Sequence, residues 1–157
     1  MYILSTKYGN VGIDATPKGI CKLVLNAKLS GKQSFKRYDK NVQKLTSQLN
    51  KYFQGKLTDF DIRLDTTKYS DFYKKVWTQA RKIPFGKTTT YGDIAKKIGH
   101  PKASRAVGRA LGANPIAIVI PCHRVIRKDN SLAGFAYGLK WKKMLLALEK
   151  KATDVHR

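Results

Sequence analysis

Apolar side chains recur along this chain with two different periods, and the period changes before its middle. Residues 2–8 and 11–15 are rich in β-branched and aromatic side chains and flank Gly9-Asn10, and residues 20–26 alternate in the same way. Runs of this kind predict a hairpin turning at Gly9-Asn10 and a third strand beside it. A helical spacing then takes over, with Val42, Leu45, Leu49 and Phe53 on one face. Asp39 is placed to cap that helix and Gly55 to stop it. The polar, basic residues 28–38 read as a loop, residues 60–64 as a further strand and residues 65–70 as a linker.

From residue 69 onward the pattern is mostly helical. Phe72, Val76, Trp77, Ala80 and Ile83 share a face, behind a cap at Ser70 or Asp71 and ahead of the break at Pro84-Phe85-Gly86. A short helix over 91–98 ends at Gly99, His100-Pro101 turns the chain, and a second helix spans 102–113, giving helix-turn-helix spacing. Asn114-Pro115 breaks that helix, residues 116–120 read as extended, and a last amphipathic helix over 141–150 precedes a loose tail. The expected fold is α+β. Residues 1–68 form a supporting lobe of antiparallel sheet plus helix, and residues 69–157 a mainly helical, winged-helix-like lobe that carries the helix-turn-helix.

Charge narrows the function. The net charge is +22, which excludes a cation binder and points to a polyanion, either nucleic acid or a membrane surface. Residues 1–68 carry 13 basic and 5 acidic side chains, and residues 69–157 carry 19 and 5, so the helical lobe is the more basic. The longest apolar run, residues 116–120, is far below the ~20 residues of a spanning helix. No basic stretch followed by an apolar run opens the chain, so no secretory signal is expected. Cys21 and Cys122 are the two cysteines and no C-x-x-C pair exists, which fits a reducing, cytoplasmic setting without metal or cofactor.

Two places carry chemistry. The 102–113 helix combines Ala103, Ser104, Ala106, Gly108, Ala110 and Gly112 with Arg105 and Arg109. Each interior glycine costs about 1 kcal/mol relative to alanine, so such a helix serves either tight internal packing or close approach of another molecule, such as a nucleic-acid groove. Cys122 stands between Pro121 and His123, with Arg124, Arg127 and Lys128 nearby. A core thiol is one reading. The other is a nucleophile with an adjacent base and cations that favour the thiolate. Glu149 is the single glutamate of the chain.

The stretch from Asn114 to Val125, with Pro121-Cys122-His123-Arg124-Val125 at its end and Arg105-Ala106-Val107-Gly108 ahead of it, resembles the active-site region of the O6-alkylguanine-DNA alkyltransferases, the methylated-DNA–protein-cysteine methyltransferases. The run from Ile83 to Thr88 with Tyr91, and the last helix with Glu149, continue the likeness over about residues 69–150. The resemblance implies a single-turnover DNA repair protein that flips the damaged base and takes its alkyl group onto Cys122. It implies His123 as a base acting through water, Glu149 as its carboxylate partner, Asn114 as a brace of the cysteine turn and Tyr91 as proton donor to the departing guanine. It implies Arg105 as the finger that fills the vacated stack, with Ala103, Ser104, Ala106 and Gly108 against the DNA. Leu111, Val125, Phe135, Ala136 and Tyr137 are then the pocket, with the Cys122 and Val125 carbonyls on the guanine amino group and a backbone N–H near Ala136 toward O6. The implied partner is double-stranded DNA containing O6-alkylguanine, with O4-methylthymine repaired less well. A monomer is expected, able to assemble cooperatively on DNA.

The chemistry makes sense without the likeness. An O6-alkyl carbon is a poor electrophile, so a thiolate is needed. A buried thiol resists ionisation, hence a base. The leaving guanine needs a proton, hence a phenol. Competing readings are a non-catalytic binder of alkylated bases, against which Cys122 stands, and a helix-turn-helix regulator. A regulator needs base-reading side chains on its second helix, where this chain has mostly Ala and Gly. A membrane-surface protein would need a basic amphipathic helix that the sequence does not display. Tyr137, at the pocket rim, is expected to narrow tolerance for large alkyl groups.

Overall fold

Three strands open the chain: β1 (Tyr2–Thr6), β2 (Gly9–Thr16) and β3 (Gly19–Leu25), paired antiparallel in the order β1-β2-β3. The computed structural model describes residues 1–28 and 40–155. Most of the basic loop expected over 28–38, and the cap expected at Asp39, lie outside them. The first turn is not at Gly9-Asn10. Thr6 pairs with Gly9, so Lys7-Tyr8 form the loop. The Thr6 hydroxyl explains the shift, because it donates to Gly9 O at 2.7 Å and accepts from Tyr8 N at 3.1 Å, a side-chain-locked turn. In the β2–β3 ladder Asp14 faces Lys22 and Ala15 faces Ile20, so Cys21 is the extra residue of a bulge.

Helix α1 (Lys40–Phe53) buries Leu45, Leu49, Tyr52 and Phe53 against the sheet, which contributes Val11, Ile13, Ile20, Leu23 and Leu25. It ends where the sequence places its stop. Gly55 is left-handed at φ 73, Gly55 N donates to Tyr52 O at 2.8 Å and Lys56 N to Lys51 O at 2.9 Å, the two bonds of a Schellman cap. The strand expected over 60–64 reduces to one bridge, Leu64 to Ile20, and residue 116 makes a second single bridge to Leu23. Two separate segments thus share the free edge of β3 and satisfy its backbone. The chain accordingly divides into one unit of Met1–Thr67 with Pro115–Ala117 and another of Lys68–Asn114 with Ile118–Arg157.

The second unit holds α2 (Asp71–Arg81), the two-residue strand β4 (Thr89–Thr90), α3 (Tyr91–Lys97), α4 (Ser104–Gly112), the strand β5 (Val125–Ile126), parallel to β4, and α5 (Leu139–Val155). Ser70 caps α2 by accepting from Tyr73 N, and Thr90 caps α3 by accepting from Asp93 N, each worth about 1 kcal/mol. Helices α2, α3 and α4 pack on one another through Val76, Trp77, Ala80, Ile94, Ala95, Val107 and Ala110, and Trp77 Nε1 donates to Ala110 O at 2.8 Å. Helix α5 continues to Val155, so residues 151–155 are helical and not a loose tail.

Residues 116–120 are extended only in part: 116, 117 and 120 are bridge residues, and the run is interrupted between them. Ile118 adopts φ 70, and the chain turns at Ile118-Val119. A β-branched residue in the left-handed region is strained by about 1–3 kcal/mol. Complete burial of the run holds the turn in place. Cys122 and His123 likewise do not lie in an extended chain but in a 3-10 turn, Cys122–Arg124. The turn is entered through Pro121, at φ −82 and ψ 65, with Cys122 N bonded to Ile120 O at 2.8 Å, an inverse γ-turn. Among the described residues no helix is long and apolar enough to cross a membrane.

Candidate active site

The γ-turn and the 3-10 turn carry Cys122, His123 and Arg124 into the interior one after another, all three buried. Cys122 Sγ faces a cavity of about 50 Å³ lined by Tyr91, Gly108, Leu111, Gly112, Asn114 and the loop 134–137. Asn114, just beyond the end of α4, holds the cysteine turn with one amide. Its Nδ2 donates to Sγ at 3.1 Å and to Ile120 O at 2.8 Å. Burial pushes the Cys122 thiol above its ordinary value, with the Asn114 hydrogen bond and the Lys142 charge pulling the other way. At rest the group is a thiol.

His123 is fully buried, and its Nε2 is hydrogen-bonded to Glu149 Oε2. A carboxylate only accepts, so Nε2 carries the hydrogen and Nδ1 the lone pair. Nδ1 is buried without a hydrogen-bond partner among the described residues. Burial pulls the imidazole below its ordinary value against the raising pull of Glu149, so the ring is neutral near pH 7. For Glu149 burial acts upward, but the hydrogen bond with His123 and the Arg124 guanidinium outweigh it and hold the carboxyl at about 2.

The sequence places Arg124 among cations that favour a thiolate. The structure spends it elsewhere. Its Nε donates to Glu149 Oε1 at 2.7 Å and its Nη1 to Ile83 O at 2.8 Å, with Phe85 under the guanidinium. Arg127 and Lys128 are exposed. The cation that acts on Cys122 is Lys142, which sequence reasoning missed. It is 1% exposed, and its Nζ donates to Val125 O at 2.7 Å. The signal was present, since Lys142 lies three and seven residues before Leu145 and Glu149, on the buried stripe of α5.

Tyr91, at the start of α3, is half-buried on the cavity. Its phenol is raised by burial and next by the charge of Cys122, so it keeps its proton when the sulfur ionises. Gly108 and Gly112 of α4 are not demanded by internal packing. A Cβ on Gly108 would meet the Tyr91 ring at an ordinary 3.8 Å, and one on Gly112 would meet nothing within 4 Å. The tight-packing explanation of these glycines therefore fails. Ala103, Ser104 and Ala106 are half-buried and Arg105 exposed on the same helix; none of the four lines the cavity. Val125 is buried in β5 and also stays off the lining, presenting its carbonyl to Lys142. Phe135 and Tyr137 meet edge to face at 5.7 Å on the rim beside Ala136. Among the described residues no group of three or more His, Cys, Asp or Glu side chains is gathered as a metal site.

Residues 71–151 match the DNA binding domain of 6-O-methylguanine DNA methyltransferase, and residues 2–66 match its ribonuclease-like domain. The chain belongs to the 6-O-methylguanine DNA methyltransferase family. Within this family, a methylated-DNA–protein-cysteine methyltransferase of Methanosarcina acetivorans has 54% identity over 102 residues, covering 65% of this chain and 65% of that relative. A probable methylated-DNA–protein-cysteine methyltransferase of Acanthamoeba polyphaga mimivirus has 52% identity over 118 residues, 73% of this chain and 76% of its own. In three dimensions the chain is similar to Mycobacterium tuberculosis OGT in complex with DNA, with TM-score 0.82, 36% identity and coverage of 96% and 92%.

Proposed function

We propose that this protein repairs O6-alkylguanine in duplex DNA by moving the alkyl group irreversibly onto its own Cys122. The observation that carries the reading is the seating of Cys122 Sγ on a cavity beneath the small-residue helix α4, in the turn that also delivers His123 to Glu149. DNA as partner is supported by the +22 net charge and by the family relative solved with DNA.

The residues divide the work. Cys122 gives its proton through a solvent molecule to His123 Nδ1, the buried lone pair without a partner among the described residues. Glu149 then faces an imidazolium and stabilises it. The sulfur attacks the alkyl carbon, an S–C bond forms, the C–O6 bond breaks, and its electron pair goes to guanine. Tyr91 gives the departing base its proton. Val125 O lies off the cavity lining beside Lys142, and its second lone pair is assigned to the guanine amino group once the base has entered. Cys122 O does the same, and the N–H near Ala136 reaches O6. Leu111, Phe135 and Tyr137 close the pocket. Arg105 enters the stack that the flipped base leaves, while Ala103, Ser104, Ala106 and Gly108 let the backbone of α4 approach the groove. O6-methylguanine is the main substrate and O4-methylthymine a poorer one. The Met1–Thr67 unit supports the DNA-binding unit, the protein acts as a monomer, and the cytoplasm suits its two thiols.

A duplex carrying radiolabelled O6-methylguanine tests this. Label is expected on the protein at one per chain and absent from Cys122→Ala. Label that persists in that variant moves the acceptor to Cys21 and overturns the assignment. DNA affinity is expected to fall by about 10³–10⁵ between 50 and 200 mM salt if 6–10 phosphates are contacted. Arg105→Ala, an exposed change, is expected to slow transfer while altering stability by less than about 0.5 kcal/mol.

A further inference from the structure

Gly86 lies in the loop between α2 and β4, outside every role given above, with φ 78. Its backbone N–H donates to Glu149 Oε1 at 3.2 Å, the same oxygen that accepts Arg124 Nε at 2.7 Å. A Cβ built on Gly86 would overlap Thr153 Oγ1 and stand 3.4 Å from Thr153 Cβ. That hydroxyl is not free to swing aside, because it donates to Glu149 O at 2.8 Å. Glycine is therefore required twice, for a left-handed backbone and for the space that lets α5 close over the loop.

We propose that Gly86 is a positioning residue for the transfer reaction, acting through Glu149; the inference rests on the function proposed above and deepens it. Without the Gly86 amide the carboxylate rests on two side-chain donors, Arg124 Nε on Oε1 and His123 Nε2 on Oε2, each of which can itself rotate. Two donors converging on Oε1, one a fixed backbone amide, set the plane of the group and aim Oε2 at His123 Nε2. The imidazole ring is fixed in turn, and with it the direction of the Nδ1 lone pair toward the cysteine turn.

The full chain is compared with Gly86→Ala, Thr153→Ala and the double variant Gly86→Ala/Thr153→Ala. In the parent, the Gly86 amide proton is expected downfield and protected from exchange, and to move upfield in Glu149→Gln. Gly86→Ala is expected to slow methyl transfer at least tenfold with DNA affinity unchanged, and to shift the His123 N–H proton resonance. Thr153→Ala is expected to behave as the parent, and the double variant to recover part of the rate and of the resonance shift, since the overlap is gone while the left-handed strain on the alanine remains. Three results would overturn the proposal: parental rate and His123 resonance in Gly86→Ala, a double variant as slow as Gly86→Ala, or an ordinary, unprotected Gly86 amide in the parent. If the parent takes up no methyl group, the repair function itself fails, and the amide measurement alone decides the Gly86 contact. An unfolded Gly86→Ala leaves the decision to the double variant and the parental amide.

Discussion

Asn114 and Cys122 are joined by a single amide group that also closes the turn between them: Nδ2 lies 3.1 Å from Sγ and 2.8 Å from Ile120 O. One side chain thus braces the turn and offsets part of the burial that raises the thiol. Asn114→Ala removes one of the two donors on Ile120 O, which keeps Cys122 N, at a cost of about 0.5–1.5 kcal/mol, and removes a contact that lowers the thiol's pKa. Chemical denaturation is expected to register the first effect. A slower, more alkaline reaction of Cys122 with a small alkylating thiol reagent is expected to register the second. Parental stability and reactivity would refute the bracing role.

Glu149 predicts the acid limb of stability. Its carboxyl is held at about 2 against an ordinary 4.5, so the unfolded chain binds a proton there before the folded one does. Stability from this group is complete above pH 4.5 and is lost as pH falls toward 2. Glu149→Gln is expected to flatten that decline in a pH series of melting curves. At neutral pH it is expected to cost about 3–5 kcal/mol, because Arg124 stays buried with its partner neutralised.

Gly112 separates fold from function. A Cβ there would meet nothing within 4 Å among the described residues beyond its own stretch of helix, so Gly112→Ala is expected to stabilise α4 by about 0.5–1 kcal/mol through helix propensity. The same methyl group stands on the cavity beside Cys122 and is expected to slow transfer from O6-methylguanine DNA. Calorimetry and a transfer assay on one sample decide it, and a rise in both stability and rate would refute the ligand-facing reading of the glycine.

Tyr137 is proposed as the side chain that limits the size of the alkyl group. It is half-buried on the cavity rim, edge to face with Phe135, so Tyr137→Gly is expected to raise the rate with O6-benzylguanine relative to O6-methylguanine. An unchanged ratio would exclude Tyr137 as the selective side chain.

The sequence alone determined whatever depends on local spacing. The 3.6-residue stripes of α1 and α2, the caps at Ser70 and Gly55, the helix-turn-helix pair and the adjacent candidates Cys122 and His123 were legible because periodicity and residue chemistry are local properties, while the role of Glu149 came through the family resemblance. Tertiary structure decided the rest. The turn at Ile118 needs a buried surround to bear its strain. Arg124, Lys142 and Gly86 take their places through contacts 25, 17 and 63 residues away in the chain. Which buried donor meets which acceptor depends on how helices and loops close over one another, and no window of neighbouring residues encodes that closure.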